Sequence, residues 1–86
     1  MHEASLMRNL MRQVLDLAAE RGAKQIVGLT VRLGALSHMS PEHFREHFDE
    51  AARGTIAEGA ALETIAETDI RAAWATDVLL DAIEIE

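Results

Sequence analysis

No cysteine occurs in the chain, so neither a disulfide nor a thiolate metal site can form within it. No apolar run approaches the roughly 20 residues of a membrane span. No basic segment followed by an apolar stretch opens the chain, so no signal peptide is expected. Positive charge is scarce: eight Lys and Arg face fifteen Asp and Glu, for a formal net charge of -7. So acidic a chain cannot neutralise a row of phosphates, which argues against a nucleic-acid partner. It offers no basic run to an anionic membrane either. The expectation is a soluble, cytoplasmic protein. At 86 residues the length suits one small domain with a thin core.

The first segment, ASLMRNLMRQVLDLAAERG, sets Leu6, Leu10, Val14 and Leu17 at helical spacing, joined by Met7, Met11 and Ala18. That broad apolar face predicts a helix from Ala4 to Arg21. Ser5 or Glu3 can cap its start, and Gly22 is a natural stop. Val27, Leu29, Val31 and Leu33 then alternate with Gly28, Thr30 and Arg32, the period of a strand with one buried face. Gly34 follows and marks a bulge or a close backbone approach. SPEHFREHFDEAARGT predicts a second helix, with Ser40 as N-cap and Pro41 in the first position. Phe44, Phe48, Ala51 and Ala52 make its apolar face, and Gly54 ends it. No Pro or Gly follows Gly59. The tail predicts two strands, Ala61 to Trp74 and Val78 to Glu86, joined as a hairpin by Ala75-Thr76-Asp77, although its Ala-rich stretches also suit a helix. Trp74 is expected to cover one side of the core. The order helix, strand, helix, strand, strand predicts an α+β fold, two helices packed on one face of a small three-stranded, mainly antiparallel sheet.

Two places invite a metal. His43 to His47 read HFREH, which matches the H-x-x-E-H pattern of one class of zinc peptidase. On a helix the two histidines lie one turn apart and share a face. At about 100° per residue, that face is roughly 80° from the direction of Phe44 and Phe48. The pair reads as two solvent-facing histidines on an acidic helix, or as two imidazoles that pinch an incidental metal ion. A peptidase needs a third ligand, an open coordination position and a cleft, and Glu46 points away from the core with no third ligand in view.

The second place is the opening Met1-His2-Glu3. A methionine before a bulky residue stays on the chain, so the free amine belongs to Met1. That α-amine, a deprotonated amide nitrogen and the His2 imidazole can close adjoining chelate rings around one ion. Such a nitrogen set, completed by a fourth donor, favours square-planar Ni(II) or Cu(II). Binding of this kind weakens as pH falls, because amide deprotonation releases protons. Alone, an early histidine is a weak signal.

Longer motifs strengthen it. MHEASL, then RLGALSHMSPEHFREHFDEAARGTIAEGAALE, then DAIEIE stand in the order of an opening, a central block and a last strand. In them the chain resembles the HypA/HybF family of hydrogenase nickel-incorporation proteins. The resemblance implies nickel delivery during maturation of a nickel enzyme, typically a [NiFe]-hydrogenase. It implies His2 as the nickel ligand, helped by the Met1 α-amine and backbone amides, with Glu3 tuning the site. It implies a HypB-type GTPase and a hydrogenase large subunit as partners, and leaves room for a homodimer. The histidines of HFREH fall where the family is variable or apolar. One departure is large. The family carries a zinc-binding lobe with two C-x-x-C pairs before its last strand. Here IRAAW and TDVLLDAIEIE resemble the flanks of that lobe, and only Ala75, Thr76 and Asp77 stand at the junction. Residues 1–86 therefore read as a single domain with the lobe replaced by a short turn near 75–77, binding nickel but no zinc.

Two functions from different classes remain at this point. One is a metallochaperone without zinc, favoured by Met1-His2-Glu3. The other is a zinc-less paralogue that binds the GTPase or an enzyme subunit without carrying metal, favoured by loss of the lobe. An enzyme is not expected. No nucleophile–base pair or cofactor fingerprint accompanies HFREH, and GTIAEG lacks the Lys and the spacing of a phosphate loop.

Overall fold

The structure is a computed structural model that describes residues 2–86, with side chains described from Ala4 onward. Its elements are α1 (His2–Glu20), β1 (Ile26–Leu33), α2 (Pro41–Ala52), β2 (Ala61–Ala66) and β3 (Val78–Ile85). The helical spacing of α1 buries Met7, Leu10, Met11, Val14 and Ala18. Arg8, Arg12, Asp16 and Glu20 stay exposed. The helix stops at Gly22, which has φ +65°. Ala23 N–H reaches back to the Ala18 carbonyl and Gly22 N–H to the Ala19 carbonyl, at 3.0 and 3.1 Å. That paired closure needs a left-handed residue at its corner, which glycine adopts without steric cost. The start, at His2 rather than Ala4, makes the first turn part of the helix.

Helix α2 begins as its sequence dictates. The Ser40 hydroxyl accepts a hydrogen bond from His43 N–H at 3.1 Å, and Pro41 occupies the first helical position. Phe44, Phe48 and Ala52 are buried, while Ala51 is exposed. The buried ladder steps by four residues, and Ala51 falls one position off it. The Arg45 guanidinium donates to the Leu62 carbonyl at 2.9 Å, tying α2 to β2.

The sheet differs from the expected one. Strand β1 is central in the order β2-β1-β3. It runs parallel to β2, from Gly28↔Ala61 to Leu33↔Ala66, and antiparallel to β3, from Leu33↔Val78 to Ile26↔Ile85. The sheet is mixed, with one pair of each kind, and β2 and β3 form no hairpin. A helix between two strands returns the chain to the end where it began, so the strand after α2 pairs in parallel. The far edge of β1 is then left for β3. Strand β2 also ends at Ala66, not Trp74. Beyond it the Asp69 carboxylate accepts from Arg71 N–H at 2.9 Å, the local turn that Asp favours over extended chain. Residues 67–77 continue as turns across the end of β1.

Backbone bonds fasten that crossing. Glu67 N–H donates to Leu33 carbonyl at 2.9 Å, Gly34 N–H to Asp77 carbonyl at 2.9 Å, and Leu36 N–H to Ala75 carbonyl at 2.7 Å. Gly34 is the close approach its sequence position suggested. A Cβ there would meet the Ala75 carbonyl oxygen and lie 2.6 Å from the Ala75 carbonyl carbon and 2.8 Å from the Asp77 oxygen. All three are backbone atoms that cannot rotate away. Gly34→Ala should therefore destabilise the fold by about 1–3 kcal/mol, read as a lower urea midpoint. An unchanged midpoint would mean that the crossing gives way freely.

One core cluster joins α1, α2 and alternate residues of β1, with Leu29, Val31 and Leu33 nearly inaccessible. Helix α1 contacts α2 and β3, and α2 contacts β2. A register shift opposite Thr30 and Val31 leaves Asp81 as the extra residue in β3. It resets the alternation, so that Val78 and Leu80 before it, and Ile83 and Ile85 after it, all pack on the core. Trp74, expected over the core, is half-buried and outside the cluster. Arg32 donates to Asp81 at 2.9 Å and to Glu67 at 2.8 Å. The Asp81 hydrogen bond, with the charges of Asp81 and Glu67, raises the Arg32 guanidinium above its ordinary range. So exposed an arrangement contributes little to stability but links β1, β3 and the crossing segment.

Candidate metal centre

The N-terminal candidates lie at the structure's limit. Helix α1 begins at His2. Met1 and the side chains of His2 and Glu3 are outside the described residues. The first turns of α1 meet α2: Ala4, Met7, Arg8 and Met11 line an open cleft with His47, Glu50 and Ala51. Met7 and Met11 form its buried wall.

The helix pair is fully in view. His43 and His47 are both half-buried, which corrects the expectation of solvent-facing side chains. Their Nε2 atoms approach to 3.0 Å, and the ring centroids are 4.7 Å apart at 39°. The one-turn spacing brings the rings together, and His47 lines the cleft shared with α1. Phe44 and Phe48 are 1% exposed, so they fix the rotation of α2 and with it the direction of the histidines. Glu46, the acidic member of HFREH, is exposed. Among the described residues no group of three or more His, Asp or Glu gathers where it could hold a metal ion. The third ligand of a zinc peptidase is therefore not found among them. His38, in the loop before α2, has φ +60° and is exposed. The sequence did not reveal the cleft. Its one signal was Ala51, apolar yet displaced from the ladder that Phe44, Phe48 and Ala52 form.

Among the described residues no helix is long and apolar enough to cross a membrane. Comparison with known proteins adds what geometry at the N-terminus cannot. Residues 1–73 match a family model described as hydrogenase/urease nickel incorporation, metallochaperone, hypA. The match includes Met1-His2-Glu3 and ends before β3. The chain is 43% identical over 72 residues to the hydrogenase maturation factor HypA of Archaeoglobus fulgidus, covering 83% of this chain and 66% of that protein. It is 43% identical over 63 residues to HypA of Methylocella silvestris, covering 73% and 56%. It is 36% identical over 63 residues to HypA of Methanopyrus kandleri, covering 73% and 44%. In each case the aligned part is less than two thirds of the relative's own length. With most of the chain inside one family match, and relatives above 40% identity, the chain belongs to the HypA family of nickel-incorporation metallochaperones.

Proposed function

We propose that this chain is a nickel-binding accessory protein for maturation of a nickel enzyme, a [NiFe]-hydrogenase foremost. The observation that carries this is the family match over residues 1–73, which starts at the chain's first residue. Nickel is cargo here, and the proposed role is to hold and hand over an ion, with no catalytic step. The ligand set is the Met1 α-amine, backbone amide nitrogen and the His2 imidazole, with Glu3 supplying backbone or tuning the site. The start of α1 supports it. The N–H groups of a helix's first turn have no carbonyl partner within the helix, so the amides of His2 and Glu3 can be surrendered to a metal at no cost in helix bonds. The partners proposed are a HypB-type GTPase and a hydrogenase large subunit, in the cytoplasm, with no zinc required. Nickel titration of the untagged chain, repeated on His2→Ala, tests this reading. The tight event should vanish in the variant, and its survival would overturn the ligand assignment.

A second reading is favoured by residues 67–77. These turns stand between β2 and β3, where the family's zinc lobe is expected, and the chain has no cysteine to bind zinc. On that reading residues 1–86 act as one zinc-less interaction module that engages the GTPase or an enzyme subunit without delivering metal. Both readings require a core that closes without metal. Thermal melts with and without a strong chelator should therefore coincide. A fall of more than a few degrees with chelator would reveal a structural metal, because such an ion contributes folding free energy directly.

A further inference from the structure

We propose that the open edge of β3, with the groove between β3 and α1, is a docking site for an extended, basic segment of a partner protein, which joins the sheet as a further strand. Strand β3 stands at one end of the sheet and pairs with β1 alone. The N–H and C=O groups along its other side meet no strand, and an extended chain can take them up. Two adjoining clefts open between α1 and β3. They share Leu17 and Leu80 and together follow β3 from Val78 to Ile85. Leu17, Val78, Leu80, Ile83 and Ile85 are half-buried, so apolar surface is left along the groove for a partner to cover. Alternate residues of an added strand point to the α1 side of the sheet, where that surface lies.

Charge selects the occupant. Asp16 and Glu20 border the cleft beside Val78, Leu79 and Leu80, and no Lys or Arg lines it. Both carboxylates are exposed, and neither forms an ion pair among the described residues. The other cleft is bordered by Arg21 and by Asp81, which Arg32 already holds at 2.9 Å. The partner segment therefore carries Lys or Arg where it meets Val78, and apolar residues where it rests on Leu17 and Leu80. A second copy of this chain is a poor occupant. Its own β3 contains Asp81 and Glu84 and no Lys or Arg, and pairing two such edges sets carboxylates against carboxylates. The extra residue at Asp81 breaks the edge into two short runs. That discourages open-ended stacking and leaves the flanking side chains to decide what pairs.

The test is titration of the full, isotope-labelled, metal-free chain with a synthetic peptide of alternating valine and lysine as long as β3, followed by amide resonances and amide hydrogen exchange. The amides of β3 and those of α1 from Asp16 to Arg21 should shift, and β3 amides should exchange more slowly. The same peptide with glutamate in place of lysine should bind at least about tenfold more weakly. Combining Asp16→Lys with Glu20→Lys, at two exposed positions outside the core, should turn the preference toward the glutamate peptide. A valine–lysine peptide methylated on every backbone nitrogen has no main-chain donors and should not protect β3. An unperturbed β3, equal binding of the lysine and glutamate peptides, or a preference that the double variant does not move overturns the proposal. Protection by the methylated peptide overturns strand addition, and perturbation of β2, the other edge, in place of β3 overturns the site. A free chain that sediments as a dimer with β3 already protected would assign the edge to a second copy and overturn the choice of partner. Nickel is absent throughout, so the outcome does not depend on the N-terminal assignment.

Discussion

Phe48→Ala should lower the unfolding free energy by about 3–5 kcal/mol, the usual cost of emptying a buried phenylalanine site. Phe48 is 1% exposed and lies with its ring 6.4 Å from that of Phe44, the two planes 19° apart. These are the only phenylalanines in the chain, and both enter the core from α2 toward the sheet. Apart from Phe44, the surrounding cluster is built of Met, Leu, Val, Ile and Ala, so a lost ring leaves a cavity in a close-packed core. Small proteins are stable by about 5–15 kcal/mol in total, so the loss is a large share of the whole. Urea unfolding followed by far-UV circular dichroism reads it. His43→Ala, one residue before Phe44 and outside the core cluster, should cost under about 1 kcal/mol. Equal losses at both positions would show that the rotation of α2 is wrong.

The other large effect is expected at the N-terminus. Adding one residue before Met1 converts its α-amine to an amide and removes a strong nickel donor. The His2 imidazole alone would hold the ion only weakly. An uncleaved N-terminal tag and His2→Ala should therefore each abolish the tight nickel event, and a histidine-free C-terminal tag should leave it intact. If four nitrogens complete the plane, binding should produce the d–d absorption of a diamagnetic, square-planar Ni(II) centre. The double variant His43→Ala with His47→Ala should retain this tight event. Tight binding that survives the extension but disappears in the double histidine variant would move the cargo site to α2. If no form of the chain binds nickel above background, the interaction-module reading takes the lead.

Both helices and β1 were legible because their signals are local. The apolar spacing of α1, its Gly22 stop, the Ser40-Pro41 start of α2 and the alternation of Leu29, Val31 and Leu33 each act within a few residues. Sheet order was not legible, since pairing of β2 with β1 depends on where α2 returns the chain. The extra residue at Asp81 interrupts the period of β3, which is why its alternation looks imperfect in sequence. Asp69 could have signalled the end of β2, but the apolar residues Ile70 and Trp74 suggested more strand. At the candidate centre, the one-turn spacing of His43 and His47 was plain. Their half-burial was not, because it depends on contacts beyond the helix itself. The N-terminal assignment came from its short motif and from resemblance, and its geometry lies beyond the described side chains.

The central place of β1 has a consequence for synthesis and folding. Its neighbours come from distant parts of the chain, and the pairing with β3 closes only after Val78–Ile85 emerge. A chain halted before Val78 would keep β1 as an open edge, its N–H and C=O groups along one side free to pair with another copy. Such separated partners also make assembly slow relative to a helical protein of equal length, because loop closure precedes the contacts that stabilise it. Truncation after residue 73, where the family match ends, would thus give a sticky product and not a smaller stable one.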